Sequence, residues 1–182
     1  MTMKAVLISI QPKWVEKIAS GEKTIKVRKT RPKIETPFKC YIYCTMGNGV
    51  KGDYLVQSGI QCSKVIGEFI CDRVYLIKNQ CDSFVVANEK QSVTNEIARQ
   101  SCLDYYDMVA YLGNKNGYGW HISDLKIYDK PKELSEFFKP CPTKEKGDCL
   151  SCDCLADNDY GGVCTNNLIR PPQSYMFVED LG

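Results

Sequence analysis

A single histidine, His121, serves the whole chain of 182 residues. That scarcity removes the usual schemes in which a histidine activates a serine or cysteine nucleophile, unless His121 itself is the base; a structural histidine beside Trp120 is the other reading. Long apolar runs are missing too. None approaches the roughly 20 residues that a membrane span requires, and Ala5-Val6-Leu7-Ile8-Ser9-Ile10 is too short for the core of a signal peptide. The expectation is a cytoplasmic chain with no membrane partner, in which the eleven cysteines stay reduced or bind metal. Charge of one sign is also lacking: 24 Lys and Arg against 22 Asp and Glu leave +2, too little for whole-surface attraction to polyanions. Any anion binding must therefore come from local clustering. The length suits one domain, with or without an elaboration, that buries a core without covalent staples.

Local clustering is present. Between Gly21 and Arg31 the chain carries five cations, Lys23, Lys26, Arg28, Lys29 and Arg31. From Thr24 to Arg28 the alternation is strict, with Ile25 and Val27 on one side and Thr24, Lys26 and Arg28 on the other, as in a strand with one apolar and one basic face. Such a face can neutralise neighbouring phosphates, and the arginine fork can hold a phosphate or a base edge with two bonds. It can equally be a solvated surface.

The surrounding pattern is mixed α and β. A buried first strand is followed by a short helix opened by Pro12, with Trp14, Val15, Ile18 and Ala19 on one face and Trp14 in the core; Gly21 stands where a left-handed cap is wanted. Lys39 to Thr45 alternates as a strand, and Met46 to Gly59, with four glycines, reads as a loop. Lys64 to Ile77 reads as one long strand with a bulge or bend at Gly67. A helical pattern starts at Thr94, and Ser101 with Asp104 resembles a capping box for a helix that Gly113 ends. Tyr118 to Tyr128 reads as a strand, Asp129-Lys130-Pro131 as a turn into a short helix around Leu134 and Phe137, and Ser174 to Glu179 as the last strand.

Residues 139–170 differ, with five cysteines and few large aliphatic residues. Cys149 and Cys152 form a C-x2-C knuckle, and Cys141 and Cys164 flank it at spacings that permit a four-thiolate zinc site, with Cys154 as a rival fourth ligand. A segment without its own core needs such a cross-link to stay ordered. Zinc so held is structural, since four thiolates leave no open position. Free thiols on a surface loop, or disulfides, are the alternatives. Cys40, Cys44, Cys62, Cys71, Cys81 and Cys102 read as core or isolated thiols.

Taken together, the chain resembles the ASCH family, named for homology to the activating signal cointegrator, within the PUA-like superfamily of small β-barrels. The family's Gly-x-Lys-x-x-Glu-x-Arg motif aligns with Gly21, Lys23, Lys26 and Arg28, agreeing at three of those four positions and replacing the glutamate with Lys26. The resemblance extends to Val65-Ile66-Gly67-Glu68-Phe69, to Gly119-Trp120-His121-Ile122 and to Pro171-Pro172-Gln173-Ser174.

It implies an α+β fold, a small PUA-like β-barrel with peripheral helices, formed by residues 1–138 and 171–182 and interrupted by the cysteine-rich insertion at 139–170. It also implies a cleft for RNA or a nucleotide, lined by Lys23, Lys26, Arg28, Lys29 and Arg31, with Trp120, Tyr41, Tyr43 or Tyr118 supplying stacking. Within the family that it resembles, certain small members are amidohydrolases of acylated cytidine nucleosides and others ribonucleases, whereas most have only a predicted RNA-binding role. In the amidohydrolases the lysine matching Lys23 is catalytic, a threonine stands at the position of Lys26, and a remote glutamate completes the site. Only the lysine is kept here. Asp104, Asp107 and Glu68 are then the candidates for proton transfer. A third reading is a protein-interaction module stabilised by zinc, its partner unidentified.

Overall fold

The computed structural model describes residues 4–46, 59–80, 83–86, 94–141 and 166–182. These gather into two compact units built from interleaved segments, one from Met1–Pro12, Lys39–Glu68 and Ile127–Gly182, the other from Lys13–Phe38 and Phe69–Lys126.

One sheet comprises β1 (Lys4–Ile10), β3 (Phe38–Cys44), β4 (Lys64–Cys71), β8 (Ser123–Lys132) and β9 (Tyr175–Glu179), in the order β8-β4-β3-β1-β9. β1 runs parallel to β3 and antiparallel to β9. Its interior position, with a strand on either side, explains why Ala5 to Ile8 are all fully buried, a continuous apolar run rather than an alternating one. Ala5, Leu7, Tyr41, Tyr43, Val65, Phe137, Leu168 and Val178 form the core. A 3-10 turn, Leu134–Glu136, leads to Phe137, where a short helix was expected.

The second unit contains α1 (Pro12–Ala19), β2 (Ile25–Arg28), β5 (Val74–Gln80), β6 (Ser83–Val86), α2 (Thr94–Ser101), α3 (Tyr105–Leu112) and β7 (Gly117–His121). Its sheet runs β2-β7-β5-β6, with β7 antiparallel to both neighbours. Ile25 and Val27 join Ile77, Phe84, Ile97, Met108 and Leu112 in the core, so the apolar side of the alternating strand is where its pattern put it. β7 reaches this core through glycines: a Cβ on Gly119 would lie 3.0 Å from Ile25 Cγ2.

Several boundaries differ from the sequence reading. Lys64 to Ile77 is not one strand; it breaks at Asp72 and Arg73 into β4 and β5, while Gly67 lies inside β4. Tyr118 to Tyr128 likewise divides at Ile122 into β7 and β8, which belong to different sheets. Asp129, Lys130 and Pro131 continue β8 instead of turning. The capping box of α3 is Asp104 with Asp107, whose backbone and side chains satisfy one another, and Ser101 closes α2. Both sheets have open strand order, and barrel closure is not found among the described residues.

Candidate functional site

α1 ends as its sequence requires. Gly21 takes φ +76°, a left-handed conformation that costs glycine little, and its N–H bonds the Ile18 carbonyl at 3.0 Å. The reversed chain is pinned by Lys23 N–H to the Lys17 carbonyl at 2.8 Å and by Thr24 N–H to the Gln100 carbonyl at 2.9 Å. Thr24 in turn accepts from Ile122 N–H at 2.9 Å. The start of β2 is thereby fixed between α2 and β7, with Lys26 opposite Trp120 in the ladder.

This brings three ammonium groups to one indole. Lys13 Nζ lies 4.6 Å, Lys23 Nζ 4.7 Å and Lys26 Nζ 6.0 Å from the centroid of the Trp14 ring, within the range of cation–π attraction. Trp14 is only partly buried, so it is a wall of this cluster and not the core residue that its helical spacing suggested.

Lys23 is 1% exposed and donates to the main-chain carbonyl of Ser101. Burial pushes its pKa from 10.5 down to about 8; the nearby Cys102 thiol, Asp107 and Glu22 oppose that fall, and Lys17 adds to it. Lys26 is half-buried, and its pKa falls well below the usual lysine value, first through desolvation and then through Arg28, Lys23 and Lys13. The charges that act on Lys26 are thus cationic. Glu22, the nearest carboxylate along the chain, is engaged by Lys17.

The other anticipated residues take separate places. Arg28 is buried on the same strand. Lys29 is exposed, with its ammonium 5.2 Å from the Tyr111 ring centroid, and Arg31 is exposed beyond it. Trp120 is fully buried, edge-on to Phe38 at 5.8 Å between centroids, so its ring does not face solvent. Tyr41 and Tyr43 are buried in the other unit, and Tyr118 is half-buried on β7. His121 holds Asp72 through Nδ1 at 2.5 Å.

Of the expected proton-transfer groups, Asp104 and Asp107 cap α3, and Glu68 accepts from the Tyr128 hydroxyl at 2.5 Å. Trp14, Lys13, Ser101 and Cys102 were not anticipated in the site. Cys102, at φ +51° just after α2, directs its thiol to the Glu22 carbonyl and carboxylate, each at 3.6 Å.

Cys141 is buried as a free thiol, whereas Cys149, Cys152, Cys154 and Cys164 lie outside the described residues. Among the described residues no group of three or more metal-ligating side chains converges. The ends of the cysteine-rich segment are nevertheless tied together, by Lys139 N–H to the Asn166 carbonyl at 3.1 Å and Leu168 N–H to the Phe137 carbonyl at 2.8 Å. No described helix is long and apolar enough to cross a membrane.

No protein-family model matches the sequence, and no curated relative does. The fold does match solved structures. The ASCH protein of Zymomonas mobilis superposes with TM-score 0.54 at 17% identity, over 94% of this chain and 85% of that one. One mutant of the same protein gives 0.55 at 16%, over 94% and 86%, and another 0.54 at 16%, over 96% and 89%. At these identities the likeness is one of fold, and it covers nearly the whole chain: the mixed α+β architecture is ASCH-like.

Proposed function

We propose, from the premise of an ASCH-like fold, that this chain binds RNA or a nucleotide through the cations gathered at Trp14. One observation carries the reading: Lys26 is half-buried beside Trp14, and the charges that act on it, those of Arg28, Lys23 and Lys13, are all of its own sign. A lysine in such a place is unfavourable until an anion arrives, and a bound phosphate would reverse the local repulsion. Lys23 and Arg28 lie on the same short stretch, and exposed Lys29 and Arg31 extend the positive charge along the chain. The motif position filled elsewhere by glutamate or threonine carries a third cation here, which favours a polyanion over acid–base chemistry.

The test is RNA affinity across a salt series for the parent and for Lys26→Ala combined with Arg28→Ala. Removing two phosphate contacts should weaken binding and reduce the slope of log K against log salt by roughly 1.4 for a single strand. Equal slopes would overturn the proposal.

A hydrolase reading starts from Lys23, whose pKa burial lowers to about 8, and requires substrate to displace its bond to the Ser101 carbonyl before the amine can act as base or nucleophile. It predicts acetate release from acetylcytidine that disappears in Lys23→Ala. No release from the parent removes that substrate from consideration.

A further inference from the structure

The site's arrangement is more specific than a generic basic face. Three ammonium groups lie within 6.0 Å of one ring centroid, and Arg28 follows Lys26 two residues later on the strand. Beyond the charge that Lys29 and Arg31 extend along the chain, three ammonium groups are therefore gathered at one ring. Phosphodiesters along a strand present one charge per nucleotide, whereas a phosphate monoester presents about −1.5 to −2 on a single group with three acceptor oxygens.

Access argues the same way. Lys23 is buried and Lys26 half-buried, so the innermost cations suit the end of a ligand better than the middle of an extended strand. The ammonium groups stand over the indole, where a stacked base would otherwise lie, so the place is suited to phosphate and not to a base.

We infer that the Trp14, Lys13, Lys23 and Lys26 cluster is a pocket for a terminal phosphate monoester, carried by a mononucleotide or by the end of an RNA strand. The inference rests on the proposed polyanion binding and narrows it. Lys26 and Lys13 hold the dianion, and buried Lys23 adds positive charge without reaching the ligand. The desolvation that depresses Lys26 is offset when the dianion restores a counter-charge.

The experiment compares four versions of one short RNA, bearing a 5′-phosphate, a 3′-phosphate, both or neither, by fluorescence anisotropy, together with adenosine and its 5′-monophosphate by calorimetry. At least a tenfold gain from a terminal phosphate is expected, and the arms identify whether the monoester comes from a mononucleotide or from a particular strand end. The gain should fall to within twofold in Lys26→Met and diminish in Lys13→Met, where the replaced side chain is exposed and folding is not at risk. Equal affinity with and without the phosphate, in a parent that still binds RNA, overturns the monoester pocket and leaves polyanion binding standing. Absence of binding to every probe overturns both.

Discussion

The ammonium of Lys23 donates to the backbone carbonyl of Ser101, so a buried charge at the start of β2 is held by the last residue of α2. The contact compensates only part of the desolvation, since burial still brings the lysine from 10.5 to about 8.

That shift makes stability depend on pH. Between about pH 8 and 10.5 the unfolded chain keeps a proton that the folded chain has lost, so stability rises with pH across that window and this lysine contributes no slope outside it. The full difference amounts to roughly 3 kcal/mol. Lys23→Met should remove the rise, and the difference in unfolding free energy between parent and variant should grow in the parent's favour from pH 7.5 to 10. Urea denaturation followed by circular dichroism at several pH values checks this; a difference independent of pH would show that Lys23 is not desolvated.

Lys26 sets binding against stability. With Arg28, Lys23 and Lys13 as its charged neighbours, its ammonium is repelled in the unliganded protein. Lys26→Met keeps most of the side-chain volume and removes the charge, so we expect a gain of roughly 1 kcal/mol in unfolding free energy at pH 7. Phosphate binding should weaken in the same variant. A thermal melt of the unliganded protein checks the first effect, and a loss of stability would mean that an anion-free partner already satisfies Lys26.

The cysteine spacing carries its own prediction. If Cys149 and Cys152 bind zinc with Cys141 and either Cys164 or Cys154, purified protein should contain one zinc per chain, released when Cys149→Ser and Cys152→Ser are combined. Plasma emission spectrometry together with thiol titration decides this. A metal-free preparation with all eleven thiols titratable would exclude the site.

The parts of the fold legible in the sequence are those controlled by short-range sterics and alternation. Gly21 and Gly113 end α1 and α3 with positive φ, and Ile25 with Val27 marks the buried side of β2. What escaped depends on contacts between distant segments. The strand from Lys64 is interrupted where Asp72 meets His121, a pairing across 49 residues that no local pattern announces. Trp14 has helical spacing from Val15 and Ile18, yet the reversal at Gly21 brings Lys23 and Lys26 back over its ring. Ser101 acts through its carbonyl, an atom every residue possesses, so residue identity gives no signal. Trp120 looked available for stacking, but β7 lies between β2 and β5 and Phe38 covers the ring.

The last prediction concerns the first unit, where the Tyr41 hydroxyl donates to Asp180 Oδ1 at 2.6 Å and accepts from Leu181 N–H at 2.9 Å. Lys39 reaches the same carboxylate oxygen at 2.8 Å. Burial raises the Asp180 pKa, but hydrogen bonds from Lys39, Tyr41 and Gly182 N–H outweigh it and leave the value below the ordinary 3.8. A carboxylate depressed in the folded state stabilises above its unfolded pKa, and that contribution disappears as pH falls through the folded value. Asp180→Asn should therefore lower unfolding free energy by roughly 1–3 kcal/mol at pH 7, with the deficit shrinking below pH 3.8. Tyr41→Phe leaves the Lys39 pair intact and should lose only about 1 kcal/mol. Parallel chemical denaturation at pH 7 and pH 3 separates the two, and equal losses in both variants at both pH values would assign the effect to packing instead of charge.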